Sequence, residues 1–445
     1  MKISSDVSIE APTTRTRKIL LQTGFGLIAK FGAFVATLLA MPLMLNLLGA
    51  KELGTWLVLL SVFQWITMFD LGLSAGARNE IARAVAVHDE LRVRQAITTG
   101  WLYVFIVSIT LFLIGATILY LTQLPEWLAQ QVFGGIEIES TLWIILAGAC
   151  AAFALNFIQS TFAALEKASA FSMYALLTNV MVVLFLVLAI ALSVNGMEYI
   201  AIINIISMFF ANTWLILQFK SGFPQYFPSV KAVNHKLSGA IIKFGLRIFV
   251  LQITTLIIFA SSRMMASAWL GPESVVVLDA AFRVFSIVII SHTLLMTTIW
   301  SSFTQAFERK EFLWIRKTLR RLIQLMFPLS AACILLAVSS PFIVRYWLGD
   351  AQVGLTSFYI LLALTTFLTC WSNIFAFFLN SIGDTRIQII SAIFSAAIFI
   401  PVSYLFTQIL NMGLSGVVLG TLVSLVPFSI LGPYVVSKLL NIHEI

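Results

Sequence analysis

Long hydrophobic runs, one after another along nearly the whole chain, constrain this sequence more than any other feature. Apolar side chains make up 60% of the 445 residues, charged ones only 10%, and the mean hydropathy is +1.00. A soluble globular chain has about 45–50% apolar and about 25% charged residues, so this chain cannot cover itself with a water-compatible surface. A soluble enzyme, a nucleic-acid-binding protein and a disordered protein are therefore excluded as classes.

Twelve of these runs are long enough to cross a bilayer, because a transmembrane helix needs about 20 predominantly apolar residues. The sequence thus predicts an all-α polytopic membrane protein. The first run is too long for a signal peptide, so we expect it to be retained as a span. The predicted spans are 19–48, 54–76, 97–122, 141–165, 168–193, 199–219, 238–270, 274–300, 320–344, 355–380, 387–409 and 413–437.

Positive charge is distributed unevenly over the connections between these spans, which predicts the orientation. With the N-terminus inside, 21 of the 27 Lys and Arg residues lie in cytoplasmic segments, and only Lys51 and Arg345 lie in outer connections. The positive-inside rule therefore places both termini in the cytoplasm and explains the net charge of +8 without a nucleic acid partner. The two most basic inner segments, 78–94 and 303–321, also contain interleaved apolar residues, so they could equally lie in the headgroup plane.

The three cysteines do not suggest a cofactor or metal site. Cys150, Cys333 and Cys370 all lie in apolar runs, without a CxxC spacing and without a neighbouring histidine. We therefore expect neither a disulfide framework nor a metal centre, and we expect the cysteines to be packing residues.

The sequence also indicates an internal duplication at a spacing of 222 residues. Leu48-Gly49 aligns with Leu270-Gly271, each at the end of a long first helix, and the basic segment 78–94 aligns with 303–321. Two halves in the same orientation predict a symmetry axis along the membrane normal and a substrate site at the repeat interface, as in transporters. The predicted parts are an N-terminal six-helix lobe (1–219), a cytoplasmic linker (220–237) and a C-terminal six-helix lobe (238–445).

Ionisable residues inside the predicted spans indicate the class of substrate. Each costs about 2.5–3.5 kcal/mol at a helix centre, so such residues persist where they face a water-filled cavity or a partner. Four of them are positive and two are negative, which predicts a cationic cavity suited to an anion such as a pyrophosphate. The predicted substrate-binding residues are Lys30, Arg247, Arg263 and Arg283, and the two acids are Asp70 and Asp279.

Several of these residues also have a structural explanation. Asp279 and Arg283 are four residues apart and could neutralise each other on one helix face, and Lys30 could extend to the inner interface. Asp70 could serve as a gate, as an ion-coupling site or as a helix-end hydrogen-bonding group. Asp279 and His292 are further candidates for ion coupling or gating, although a buried histidine also commonly has a structural role.

Residues 49–83 and two later hairpins resemble the Wzx-like O-antigen flippases and polysaccharide exporters of the multidrug/oligosaccharidyl-lipid/polysaccharide (MOP) superfamily. The similar features are Glu52-Leu53-Gly54, Asp70-Leu71-Gly72-Leu73 before Arg78, and the hairpins 164–167 and 381–384. The resemblance implies two six-helix bundles arranged as in the toxin-extrusion (MATE) exporters. It also implies flipping of an undecaprenyl-pyrophosphate-linked oligosaccharide, an O-antigen or exopolysaccharide repeat unit, across the bacterial inner membrane. A coupling ion (H⁺ or Na⁺) and a polysaccharide polymerase would be its partners.

Three other functions compete with this one. An ion-coupled drug or cation exporter of the same superfamily would favour embedded acids over the embedded arginines and lysine found here. A major-facilitator carrier would carry a Gly-x-x-x-Asp-basic-x-Gly-Arg pattern after Gly76, which this sequence lacks. A membrane polymerase or glycosyltransferase would need more carboxylates than the three glutamates of the outer loop 123–140. We therefore expect a transporter without enzymatic activity.

Overall fold

The computed structural model describes residues 12–68, 72–133, 135–165, 167 and 169–442. Every regular element in these ranges is a helix. No strand occurs in these ranges, which confirms the all-α prediction. The first helices are α1 (Pro12–Met68), α2 (Leu73–Ala86), α3 (Glu90–Leu121), α4 (Leu124–Gln131), α5 (Glu139–Ala164), α6 (Ser169–Ala191) and α7 (Met197–Gly222). They are followed by α8 (Ser238–Leu270), α9 (Pro272–Glu308), α10 (Phe312–Leu348), α11 (Thr356–Ser381), α12 (Arg386–Tyr404), a π-helical turn (Leu405–Ile409) and α13 (Leu414–Ile442).

Most of these helices have the length and composition of membrane spans. Within the described residues, ten helical segments are long and apolar enough to cross a bilayer, so the chain is a multi-pass membrane protein. The predicted first two spans, 19–48 and 54–76, are separated within α1 by a kink at Gly49, where the backbone is not helical (φ 70°, ψ 174°). Glycine adopts this left-handed conformation without the steric cost that a Cβ would add. The predicted count of twelve spans stays a prediction.

Contacts divide the chain into two compact units. Unit 1 comprises the described residues up to Gln131 and from Gly135 to Gln252, and unit 2 comprises Val132, Phe133 and the residues from Ile253 onward. The division falls inside α8, whereas the sequence predicts lobes separated by the linker 220–237. Those lobe boundaries stay a prediction.

The two units repeat the same helix packing. In unit 1, α5 packs against α2, α3 and α7, and in unit 2 the corresponding α11 packs against α9, α10 and α13. Two turns with positive φ recur at the predicted spacing of 222 residues, Gly49 with Gly271 (φ 91°) and His88 (φ 55°) with Lys310 (φ 59°). The internal duplication is thus visible in the local backbone of each unit as well as in its packing.

The segment after α7 is attached to the beginning of α3, and this attachment explains why contacts assign it to unit 1. The backbone N–H of Asn234 donates to Thr99 Oγ1 (3.0 Å), and its side chain Nδ2 donates to Gln95 Oε1 (2.9 Å). Arg94 Nε donates to the carbonyl oxygen of Phe227 (3.0 Å). The segment therefore lies along unit 1 as an ordered strap through these hydrogen bonds.

Candidate functional site

A tight helical hairpin in unit 2 positions the candidate site. Helix α8 ends at Leu270, Gly271 turns the chain with φ 91°, and α9 begins at Pro272. The hydroxyl of Ser274 donates to the carbonyl oxygen of Ala266 (3.0 Å), which ties the first turn of α9 to the last turn of α8. Positions at equal distances before and after Gly271 therefore face each other across the hairpin.

Arg263 and Asp279 are such a pair, each eight residues from the turn and thus about 12 Å along its helix axis. Both Nη2 (2.7 Å) and Nε (3.1 Å) of Arg263 donate to Asp279 Oδ1. One helical turn further along α9, Arg283 Nε donates to the other carboxylate oxygen, Oδ2 (2.6 Å). Each oxygen of Asp279 thus accepts from a different arginine, and we call Arg263, Asp279 and Arg283 the charge triad.

The charge triad holds one net positive charge, and two of its members, Asp279 and Arg283, lie in the candidate membrane span Pro272–Met296. The side chain of Asp279 is 2% exposed, whereas the side chains of Arg263 and Arg283 are 26% and 17% exposed. The carboxylate is thus the buried centre and the guanidinium groups form its partly accessible rim. Bringing charges out of water costs several kcal/mol per ion, so a cluster of this kind is weak evidence for stability and calls for a functional explanation.

The duplicated scaffold supplies an internal comparison for the charge triad. The equivalent positions in unit 1, 222 residues earlier, are Met41, Leu57 and Ser61, and all three are buried. Ser61 donates to the carbonyl oxygen of its own helix at Leu57 (3.2 Å) and carries no charge. In unit 1 the helical scaffold therefore forms without ionised groups at these positions.

The other predicted site residues are distributed over several elements. Lys30 on α1 in unit 1 is exposed. Arg247 belongs to α8, but its side chain is not among those that the structure describes. His292 is buried on α9, and its Nδ1 has no hydrogen-bond partner among the described residues. Asp70 lies outside the described residues. The structure thus brings together three of the seven predicted residues.

Sequence reasoning identified the pair of Asp279 and Arg283 but did not predict that Arg263 also binds Asp279. The i,i+4 spacing within one helix indicated the first contact. The second contact crosses the hairpin, and its signal was the equal spacing of both residues from Leu270-Gly271. The equal spacing predicts a contact only together with the turn conformation of Gly271, which the structure supplies.

Comparisons with known proteins identify the fold. A family model described as "Polysaccharide biosynthesis protein" matches residues 19–299. The chain is also similar to a solved structure described as the inward-facing conformation of a multidrug resistance MATE family transporter of the MOP superfamily. The two sequences are 17% identical, the TM-score is 0.78, and the match covers 93% of this chain and 98% of that chain.

Two further structures have similar coverage. One is a MOP superfamily transporter from Pyrococcus furiosus, described with the words "reverse polarity of binding pocket suggests different function" (16% identity, TM-score 0.72, 96% of each chain). The other is the outward-facing conformation of a multidrug resistance MATE family transporter (17% identity, TM-score 0.67, 96% of each chain). No curated protein sequence matches the chain. The predicted MATE-like fold is therefore confirmed.

Proposed function

Since the chain belongs to the polysaccharide biosynthesis protein family of MOP-superfamily flippases, we propose that it flips an undecaprenyl-pyrophosphate-linked oligosaccharide, an O-antigen or exopolysaccharide repeat unit. The movement takes place across the bacterial inner membrane by alternating access through a cationic cavity. The single observation that carries this proposal is the charge triad, a net positive cluster in the membrane-spanning part of a chain from this family.

The chemistry of the charge triad matches a pyrophosphate. A guanidinium group presents parallel N–H donors that fit two phosphate oxygens at once, and these charge-assisted bonds are roughly twice as strong as neutral ones. Asp279 holds both guanidinium groups in a fixed orientation before the substrate arrives. A guanidinium group has five N–H donors, so Arg263 and Arg283 can donate to a pyrophosphate while each still donates to Asp279. When the donors are shared in this way, none of the three charges is left without a partner.

The polarity of the charge triad also separates this proposal from a drug or cation exporter of the same superfamily. A net positive cluster repels an organic cation, whereas it attracts a phosphorylated lipid carrier. For the similar structure from Pyrococcus furiosus, the words "reverse polarity of binding pocket suggests different function" likewise connect pocket charge with function in a protein of this fold. We therefore rank a cation exporter second, and a polymerase or glycosyltransferase third.

The remaining parts of the proposal follow from the substrate. Lys30 and Arg247 are proposed to contact the anionic carrier along with Arg263 and Arg283, whereas Asp70, Asp279 and His292 are proposed for ion coupling or gating. Both termini are proposed to lie in the cytoplasm, where the lipid-linked unit is assembled. H⁺ or Na⁺ would drive the cycle, and a polysaccharide polymerase on the outer side would take up the product.

Transport in reconstituted vesicles tests the proposal. The purified protein is incorporated into liposomes that contain a polyprenyl-pyrophosphate glycan, and the fraction of glycan accessible to an enzyme on one side is followed over time. We expect the accessible fraction to rise from about half toward completion only in vesicles that contain the protein, and we expect no ion-driven efflux of a cationic dye. Ion-driven dye efflux without movement of the glycan would contradict the proposal and favour the exporter.

A further inference from the structure

A pocket inside unit 1, separate from the charge triad, has the features of a second binding site. It has a volume of about 240 Å³ and lies between α2, α5 and α6. This is smaller than the about 300–1,000 Å³ typical of sites for drug-sized ligands, so it fits a single headgroup-sized group. Its described lining residues are Ser74 and Arg78 from α2, Phe153, Asn156, Gln159, Ser160 and Ala163 from α5, and Phe171 from α6.

Arg78 supplies the only formal charge among these lining residues. Its side chain is exposed, and among the described residues its guanidinium makes no ion pair. The neighbouring acid on the same helix, Glu80, is already bound to Arg83 (2.9 Å) and Arg92 (3.3 Å). Arg78 is therefore available to an anion that enters the pocket, and a phosphate is the anion that matches a guanidinium fork.

The amide groups of α5 form the polar wall of the pocket. Asn156 Oδ1 accepts from Gln159 Nε2 (3.0 Å) and from Nδ2 of the fully buried Asn212 (3.1 Å). These two bonds fix the orientation of Asn156, so its Nδ2 is left as a donor for a ligand. Together with the hydroxyl of Ser160, this wall offers the mixture of donors and acceptors that binds the hydroxyl groups of a polyol.

Helix α2 is held firmly on its opposite face, which fixes the position of Arg78. Ser74 and Arg78 are one turn apart and share a face, whereas Gly76 lies on the other side of the helix. A Cβ at Gly76 would lie 2.1 Å from the carbonyl oxygen of Ile241 at the beginning of α8, so the two backbones are in direct contact there. The contact with α8 thus determines where α2 places Arg78 at the pocket.

We propose that this pocket binds a phosphorylated polyol, with Arg78 on the phosphate and Asn156 and Ser160 on the hydroxyl groups. Two sources carry this chemistry, the sugar phosphate of a lipid-linked glycan and the headgroup of a glycerol-based phospholipid. The inference concerns binding in unit 1 and does not depend on which lipid the protein transports.

Direct binding to the purified full-length protein in detergent tests the pocket, with glucose-1-phosphate as the probe and glucose and inorganic phosphate as comparators. We expect glucose-1-phosphate to bind more tightly than either comparator. Arg78→Gln weakens binding by at least about tenfold, as expected for the loss of a charge-assisted hydrogen bond, while Arg78→Lys loses less. Arg83→Gln is the matched control, since Arg83 is an exposed arginine on the same helix outside the pocket, and it leaves binding unchanged.

Asn156→Asp provides a second test that preserves the local structure. The new carboxylate still accepts from Gln159 and Asn212 but replaces the amide donor by a negative oxygen, so binding falls by at least about tenfold with an unchanged melting temperature.

Phosphatidylglycerol in nanodiscs then distinguishes the sources: competition with glucose-1-phosphate assigns the pocket to a phospholipid headgroup, and absence of competition assigns it to the sugar phosphate. Equal binding of glucose-1-phosphate to the wild type, Arg78→Gln and Asn156→Asp would overturn the proposal, whatever the outcome of the transport assay.

Discussion

At the scale of single residues, Asp279 is the residue on which the charge triad depends. It is the most buried of the three charges, and each of its oxygens accepts from a different arginine. If Asp279 paired with Arg283 alone, as the sequence suggested, removing either residue would leave the charge of the other without an opposite charge. With Arg263 as a third member, loss of one arginine leaves a neutral pair, whereas loss of the aspartate leaves two neighbouring positive charges.

Substitutions within the charge triad are therefore expected to have unequal effects on stability. Asp279→Ala should cost about 3–5 kcal/mol, the typical cost of removing one partner of a buried ion pair. Arg283→Ala should cost clearly less, because Arg263 still neutralises Asp279. Melting temperatures of the detergent-purified variants provide the measurement. If Arg283→Ala proves as harmful as Asp279→Ala, Arg263 does not neutralise Asp279 in the protein.

At the scale of helices, much of the architecture could be predicted and the tertiary contacts could not. Hydropathy located the spans closely, since α3, α5, α10 and α11 each overlap a predicted one. The break between the first two predicted spans also agrees with the backbone, which is not helical at Gly49. The contact between Arg263 and Asp279 was missed, because it depends on the hairpin geometry at Gly271.

The hairpin at Gly271 gives a prediction at this scale. Its φ of 91° lies in the region that favours glycine, so Gly271→Ala should destabilise the protein by about 1–2 kcal/mol. Gly239, in the first turn of α8, is the matched control, because a Cβ there would have no atom within 4 Å. Gly239→Ala should leave the melting temperature unchanged or raise it slightly. Equal effects of the two substitutions would show that the turn does not constrain the hairpin.

At the scale of the whole molecule, a duplicated apolar scaffold carries the charge triad in one copy only. The two units repeat helix order and packing, yet the positions of the charge triad in unit 2 correspond to Met41, Leu57 and Ser61 in unit 1. Composition and repeat spacing were enough to predict the scaffold. The distribution of partners among the embedded charges was not predictable in this way, because it depends on which side chains meet across neighbouring helices.

The orientation of the molecule is open to a direct test. The natural cysteines Cys150, Cys333 and Cys370 are buried, so a membrane-impermeant thiol reagent should react mainly with introduced ones. In spheroplasts, Gln123→Cys in the predicted outer loop should react with the reagent added outside. Val230→Cys, which replaces a side chain that is 89% exposed in the predicted inner linker, should react only after permeabilisation. The reverse pattern would invert the predicted topology.

The central claim, that the charge triad serves an anionic lipid carrier and not the fold, is tested most directly by giving unit 2 the residues of unit 1. The triple variant Arg263→Met, Asp279→Leu, Arg283→Ser removes all three charges together, an exchange that is often neutral or stabilising for buried ion clusters. The measurement is the rate of polyprenyl-pyrophosphate glycan flipping in proteoliposomes, at matched protein content and with the melting temperature recorded. The account predicts a stably folded protein that flips the glycan at the rate of protein-free vesicles. Wild-type flipping by this uncharged variant would contradict it.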